Sequence, residues 1–119
     1  MTLSNKEAVT RKDDQELLGY IVHDSVGWQA QTIFGYPISH TETHDEAEKV
    51  LRKHGLGYLG GIWQYYDEDD RSWSPCVIKQ AYEQRVIVNR TNELGYQDPD
   101  DYKQVIIDKP TENTLVKST

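Results

Sequence analysis

Residues 63–79 read WQYYDEDDRSWSPCVIK, and they place four consecutive acids between two segments with the composition of strands. In the first segment Trp63 and Tyr65 fall on one face and their neighbours on the other, a period of two that is typical of a strand. Residues 73–79 then run back after the acids. The pattern predicts a β-hairpin whose tip, Asp67–Asp70, concentrates negative charge.

The residues before this hairpin predict a second hairpin and a helix. Residues 17–36 contain two segments rich in β-branched and aromatic side chains around Ser25, so we expect two paired strands there. Thr43 and Glu46 have the spacing of a capping box, in which each side chain can bond the backbone N–H of the other residue. A helix is therefore expected to begin at Thr43, and Gly55 supplies its C-terminal stop.

The residues after the acidic hairpin predict one more strand and a short helix. Residues 84–89 include three successive β-branched side chains and extend the hairpin to a three-stranded meander. Asp98 followed by Pro99 is typical of the start of a helix, which we expect to run to about Ile107. Pro110 lies beyond its end.

The predicted element order is ββαβββ, followed by the short C-terminal helix. This order indicates a mostly β, α+β fold: a five-stranded antiparallel sheet, curved or closed into a small barrel, with one helix covering an opening. An open β-grasp-type sheet is the main alternative. We expect a single β-rich domain over residues 16–108, a flexible N-terminal arm over 1–15 and a disordered tail over 109–119.

The charge of the chain limits its partners. Among 119 residues, 20 are acidic and 13 are basic, which gives a formal charge of -7. Such a surface repels nucleic-acid phosphates and anionic lipid, and it favours cations or a basic protein. The first twenty residues are polar, and no apolar segment is long enough to span a membrane, so we expect a cytoplasmic protein.

Clustered carboxylates are the most suggestive candidate site. Calcium takes six to eight oxygen ligands, mostly carboxylates and carbonyls. The candidate ligands are Asp67, Glu68, Asp69 and Asp70 at the hairpin tip and Asp98, Asp100 and Asp101 at the start of the expected helix, with Asp13, Asp14 and Glu16 as a third cluster. The pattern of an EF-hand loop is absent. A solvated acidic tip without a cation is the alternative interpretation.

Other chemistries have weaker support in the sequence. His40 and His44 are four residues apart, a spacing that would let them share a metal on a helix, but the capping box starts the helix between them. Cys76 is the single cysteine and is expected to be a packing residue. His23 with Asp24 resembles an acid–base pair but falls at a turn, where Asp is common. We therefore expect no enzyme activity.

The chain resembles the small acidic calcium-binding proteins of filamentous cyanobacteria that are linked to heterocyst differentiation. The likeness lies in its size, its acidity, the helix among five strands and the aromatic strands around Asp67–Asp70. The resemblance covers residues 17–108. It implies an Sm-like barrel that binds two calcium ions at surface carboxylates without an EF-hand. It also implies that the protein buffers or senses cytoplasmic calcium in signalling.

The alternative function is an acidic protein-interaction module of the inhibitor or immunity type. A basic partner would bind Asp67–Asp70 together with Tyr65, Tyr66 or Trp73, since Tyr and Trp ringed by charge suit an interface. Binding by charge complementarity should weaken steeply with salt, whereas a calcium site should be sensitive to the loss of one ligand and should prefer calcium over magnesium.

Overall fold

Nine strands and one α-helix make up the part of the chain that the computed structural model describes, residues 6–97 and 103–118. The strands form two antiparallel sheets, which confirms the mostly β class. The chain divides into two compact units, one ending at Leu59 and one beginning at Gly60. Neither sheet closes on itself within the described residues, so the small closed barrel is not shown.

The first unit contains four strands, one helix and one 3₁₀ turn. They are β1 (Lys6–Thr10), β2 (Leu17–Asp24), β3 (Gly27–Gln31), β4 (Pro37–Thr41), α1 (His44–His54) and the turn at Gly57–Leu59. The strands pair in the order β1-β2-β3-β4. The predicted hairpin of residues 17–36 is confirmed by β2 and β3.

The core of the first unit lies between its sheet and α1, which packs on β2, β3 and β4. The fully buried side chains there are Ile21, Ala30, Ala47 and Leu51. Gly19 on β2 has a φ of +153°, and a Cβ at this position would lie 2.8 Å from Leu51 Cδ2 and 2.2 Å from the Gln31 carbonyl oxygen. A glycine is needed here because any side chain would meet both the helix and the neighbouring strand.

Thr43 and Gly55 bound the helix as predicted. The Glu46 N–H donates to Thr43 Oγ1 at 3.2 Å, and the Thr43 hydroxyl donates to the Glu46 carboxylate at 3.0 Å. The second bond replaces the expected one to the Thr43 backbone. Gly55 is right-handed with a φ of -53°, and a Cβ there would lie 2.6 Å from the Leu51 carbonyl oxygen. Glycine ends this helix because of close packing, not because of a left-handed conformation.

The second unit is a five-stranded sheet. Its strands are β5 (Trp63–Asp67), β6 (Ser72–Ala81), β7 (Arg85–Arg90), β8 (Gln104–Asp108) and β9 (Leu115–Lys117). They pair in the order β8-β7-β6-β5-β9. The predicted three-stranded meander is confirmed by β5, β6 and β7.

One face of this sheet is buried. The alternation seen in the sequence places Trp63 and Tyr65 on that face, and the strand registers place the buried residues of the other strands beside them. The buried apolar residues of this sheet are Trp63, Tyr65, Cys76, Val86, Val88 and Leu115.

The sheet of the second unit is curved. Lys103, directly before β8, reaches Asp67 at the end of β5, with Nζ 3.2 Å from Oδ2, although β7 and β6 lie between these strands. In a flat sheet, three strand spacings would separate the two backbones by about 14 Å. The curvature therefore turns the free edge of β8 toward the end of β5.

The predicted C-terminal helix is wrong for residues 104–107, which belong to β8. Val105, Ile106 and Ile107 are β-branched, which favours a strand. Pairing with β7 supplies hydrogen-bond partners for their backbone, and the local helix signal carries no information about that pairing. Asp98 and Pro99, which carried that signal, lie outside the described residues.

Besides β8, three more strands are missing from the predicted order ββαβββ. Strand β4 begins at Pro37, while β1 and β9 lie in the segments expected to be a flexible arm and a disordered tail. These strands have three to five residues each, too short for a clear alternation, and they form through pairing with β2, β3 and β5.

Candidate functional site

The acidic turn, Asp67–Asp70, closes the hairpin of β5 and β6 as predicted. Asp67 is also a turn-forming residue, because its Oδ1 accepts the N–H groups of Asp69 at 2.9 Å and Asp70 at 3.3 Å. Arg71 completes the turn with a φ of +51°. Part of the acidic run is thus explained by the conformation of the turn, since Asp bonds to the backbone of following residues in this way.

The carboxylate of Asp67 is enclosed by donors from three strands or their ends. Only 4% of Asp67 is exposed. Its Oδ2 lies 3.2 Å from Lys103 Nζ and 3.7 Å from Arg90 Nη1, and it accepts the Tyr65 hydroxyl at 3.4 Å. Two cations from distant parts of the sequence therefore offset its charge.

These contacts shift the ionisation of both partners. Burial opposes the charged form of Asp67, but hydrogen bonds from the Asp70 N–H, Lys103 and the Asp69 N–H outweigh burial and lower the pKa of the carboxyl. The hydrogen bond to Asp67 also raises the pKa of Lys103. Asp67 is held ionised inside the fold as a structural carboxylate.

The other three acids of the turn point into solvent. Glu68, Asp69 and Asp70 are all exposed. Asp70 lies 3.6 Å from Arg90 Nη1 and Asp69 lies 3.9 Å from Lys103 Nζ, at partly exposed sites where ion pairs contribute little. The turn therefore presents carboxylates outward while Asp67 anchors it inward.

The described residues do not fit a calcium site at this turn. Both oxygens of Asp67 already accept N–H or O–H groups, and two side-chain cations occupy the region where a metal ion would be needed. Within residues 6–97 and 103–118, no three His, Cys, Asp or Glu side chains are grouped as metal ligands. Asp98, Asp100 and Asp101 lie outside the described residues, so their contribution stays a prediction.

The third acidic cluster is also offset by a basic side chain. Arg11 donates to Asp14 at 2.6 Å and to Glu16 at 2.8 Å. The hydrogen bond from Arg11, followed by the one that the Glu16 N–H donates to Asp14, lowers the pKa of Asp14 to about 2. This exposed loop is held together by ion pairs, and its third acid, Asp13, is exposed to solvent.

The histidines contact separate carboxylates instead of sharing a metal. His40 lies on β4, with Nε2 3.2 Å from Asp24 Oδ2, and His44 opens α1 and bonds Glu7 of β1. The hydrogen bond to Glu7 raises the pKa of His44. Asp24 Oδ1 also accepts the N–H groups of its turn, which explains its place beside His23 without acid–base chemistry.

Cys76 is fully buried, and burial raises the pKa of its thiol to about 12. A thiol that stays protonated and has no access to solvent is a poor nucleophile. The residue is a packing residue, as expected.

An exposed pair of aromatic rings lies beside the acidic turn. Tyr66 and Trp73 face each other across β5 and β6, with ring centroids 5.6 Å apart in an edge-to-face arrangement. They are 37% and 43% exposed, whereas Tyr65 is buried and cannot meet a partner. We call Tyr66 and Trp73 the aromatic pair.

A cleft of about 540 Å³ opens next to this pair. It is lined by Tyr65 and Tyr66, three acids of the turn (Asp67, Glu68 and Asp69), Lys103, all of β8 and Thr114. Successive residues of β8 point to opposite faces of the sheet, so a cleft lined by all of them runs along the edge of the strand. We call it the β8 cleft.

Two cations of this site, Arg90 and Lys103, were missed by the sequence reasoning. Arg90 ends β7, a strand that was predicted, but the sequence does not indicate that its side chain reaches Asp67 two strands away. Lys103 was assigned to a helix that does not form there. The sequence would have indicated them only if residues 104–108 had been interpreted as a further antiparallel strand of the meander and the sheet had been taken to be curved.

Comparisons with protein-family models, curated proteins and solved structures found no match to this chain. No helix in the described part of the chain is long and apolar enough to cross a membrane.

Proposed function

We propose that this chain is a non-catalytic, cytoplasmic interaction module that binds a basic protein through the acidic turn and the aromatic pair. The observation that supports this function best is the position of Tyr66 and Trp73, two exposed aromatic rings held together directly beside three solvated carboxylates. Aromatic anchors next to a charged rim are typical of protein interfaces.

The aromatic pair is held in place before any partner arrives. The Tyr66 N–H donates to the Thr114 carbonyl on the β9 side, so Tyr66 and Trp73 form a non-hydrogen-bonded pair across β5 and β6. Side chains approach most closely at such positions. A partner that buries these rings therefore loses little conformational entropy in them.

The charge of the turn supplies selectivity. Glu68, Asp69 and Asp70 add to a chain of formal charge -7, so the surface attracts a cationic partner and repels an anionic one. Exposed charges of this kind chiefly raise the association rate, and their effect declines with ionic strength. Binding should therefore be fast and salt-sensitive.

Calcium binding stays a competing prediction, based on the clustered carboxylates and on the resemblance. The engagement of Asp67 with Lys103 and Arg90 argues against it at the turn. A calorimetric calcium titration of metal-stripped protein in excess magnesium tests it. Saturable binding that is lost in Asp67→Asn would restore calcium as the function, whereas no binding heat is expected if the interaction module is correct.

Site-specific photo-crosslinking tests the proposal directly. A photoreactive phenylalanine derivative at Trp73 keeps an aromatic ring at this position and should crosslink one basic protein in a cell extract, and the same group at Val26, which is 80% exposed in the first unit, should not. The triple reversal Glu68→Lys, Asp69→Lys and Asp70→Lys changes the formal charge from -7 to -1, six units in all, and should abolish the crosslink. The matched variant Glu68→Asp should retain it. The same crosslinks from both positions, or crosslinks that survive charge reversal, would refute the proposal.

A further inference from the structure

The outer edge of β8 has no strand partner among the described residues. The strand ends the sheet order β8-β7-β6-β5-β9, and its other edge pairs with β7. Such an edge offers a row of backbone N–H and C=O groups to another extended chain.

The hydrogen-bond pattern shows which residues of β8 face outward. The Arg90 N–H donates to the Lys103 carbonyl, and the Lys109 N–H donates to the Gln84 carbonyl, each at 2.7 Å. Because inward and outward residues alternate in an antiparallel pair, Val105 and Ile107 also bond β7. The free backbone groups therefore belong to Gln104, Ile106 and Asp108.

The β8 cleft leaves room beside that edge. Every residue of the strand lines it, and away from β8 the lining consists of Tyr65, Tyr66, Asp67, Glu68, Asp69 and Thr114. Five residues of β8 extend for about 17 Å, which matches an added strand of five or six residues. Ile106, 58% exposed, offers an apolar contact on the β8 side, and Tyr66 offers one on the other.

The charge of the cleft favours a basic segment over a second copy of this chain. Its lining includes the carboxylates of Asp67, Glu68, Asp69 and Asp108 against the single ammonium of Lys103, which pairs with Asp67. A second copy of this acidic chain would bring like charges together, whereas Lys or Arg side chains on an added strand would meet exposed carboxylates.

We propose that the β8 cleft accepts an extended basic segment of a partner protein as an added strand on the free edge of β8. Backbone groups of Gln104, Ile106 and Asp108 would bond the segment, and its Lys or Arg side chains would face the acidic turn. This inference rests on the proposed function and names its binding mode.

The test uses the full chain and a synthetic hexapeptide of alternating Lys and Val, with a Glu and Val hexapeptide as the matched control. Amide hydrogen exchange is measured by NMR with and without peptide. The basic peptide should slow exchange of the Gln104, Ile106 and Asp108 amides at least about tenfold and leave the Val105 and Ile107 amides, already bonded to β7, nearly unchanged. The acidic peptide should have no effect.

A proline at an outward position isolates the backbone contribution. Ile106→Pro removes one outward N–H and blocks the edge, so peptide affinity should fall by at least about tenfold. Ile106→Ala keeps the N–H and should lose only a few-fold. If Ile106→Pro unfolds the second unit, the exchange pattern of the unaltered chain still decides the question.

The outcomes separate the binding mode from the function. Strand addition would be overturned if the basic peptide bound without protecting the three amides, or if its affinity were unchanged in Ile106→Pro. The proposed function would survive either result if the crosslink at Trp73 were observed. Protection that rises with protein concentration in the absence of peptide would mean self-association and would overturn the proposal. Loss of both peptide binding and the Trp73 crosslink would overturn the proposed function as well.

Discussion

Prolines at two adjacent positions of β8 should have very different effects on stability. Val105 directs its N–H to β7, so Val105→Pro removes a ladder hydrogen bond and leaves a carbonyl of β7 without its donor. The expected cost is about 3 kcal/mol or more. Ile106 directs its N–H outward and is 58% exposed, so Ile106→Pro loses no ladder bond and little burial. Its expected cost is about 1 kcal/mol, mostly from the side chain.

Urea denaturation followed by tryptophan fluorescence measures this difference. With a slope of about 2 kcal/mol/M, a gap of about 2 kcal/mol moves the two midpoints apart by about 1 M. The order of the midpoints matters more than their absolute values, because both prolines occupy the same short strand. Equal losses, or a larger loss in Ile106→Pro, would refute the register and remove the free edge on which strand addition depends.

Three further outcomes are expected from other parts of the molecule. Gly19→Ala should lower the free energy of unfolding in urea by about 2–6 kcal/mol, because it combines a strained φ with contacts to Leu51 and the neighbouring strand. Gly57→Ala, with open space around it, should be neutral or stabilise by up to about 1 kcal/mol. Equal effects of the two substitutions would contradict the packing of α1. The pKa of His44 is raised above its unfolded value by Glu7, so the stability it contributes is fully present below about pH 6.5 and is lost as the pH rises through the raised value. Unfolding measured at pH 6 and pH 8 should show this loss, less than about 1 kcal/mol at such an exposed pair, in the unaltered chain and not in Glu7→Gln. Cys76 should resist alkylation by iodoacetamide at pH 8 until the chain unfolds, and rapid labelling of the native protein would contradict its burial.

The parts of the fold that were predicted correctly carry strong local signals. Strand β2 has eight residues with Tyr20, Ile21 and Val22 at its centre, and α1 begins at a capping box and ends at a glycine. The hairpin of β5 and β6 was identified from its alternation and its acidic turn. In each case the information lies within one short continuous segment, so no tertiary contact is needed to identify the element.

The parts that were missed depend on pairing between distant segments. Strand β9 has three residues and forms only because β5 offers its edge, and β8 replaced an expected helix because β7 lies beside it. Propensity is a weak guide where one backbone segment completes the hydrogen bonds of another. The free edge of β8, central to the proposed binding mode, could not be predicted while that segment was assigned to a helix.

The acidic turn shows why a run of carboxylates is ambiguous in a sequence. Four acids in a row need their repulsion reduced, and a bound cation is one solution. Here a lysine 36 residues away and Arg90 supply positive charge to Asp67, while the remaining three acids are exposed to water. The distinction between a metal site and an interaction surface thus depends on which side chains the sheet brings to the turn. Because the curvature of the sheet places Lys103 there, the charge of the inner carboxylate is already offset by an ion pair, whereas the outer carboxylates are exposed to solvent.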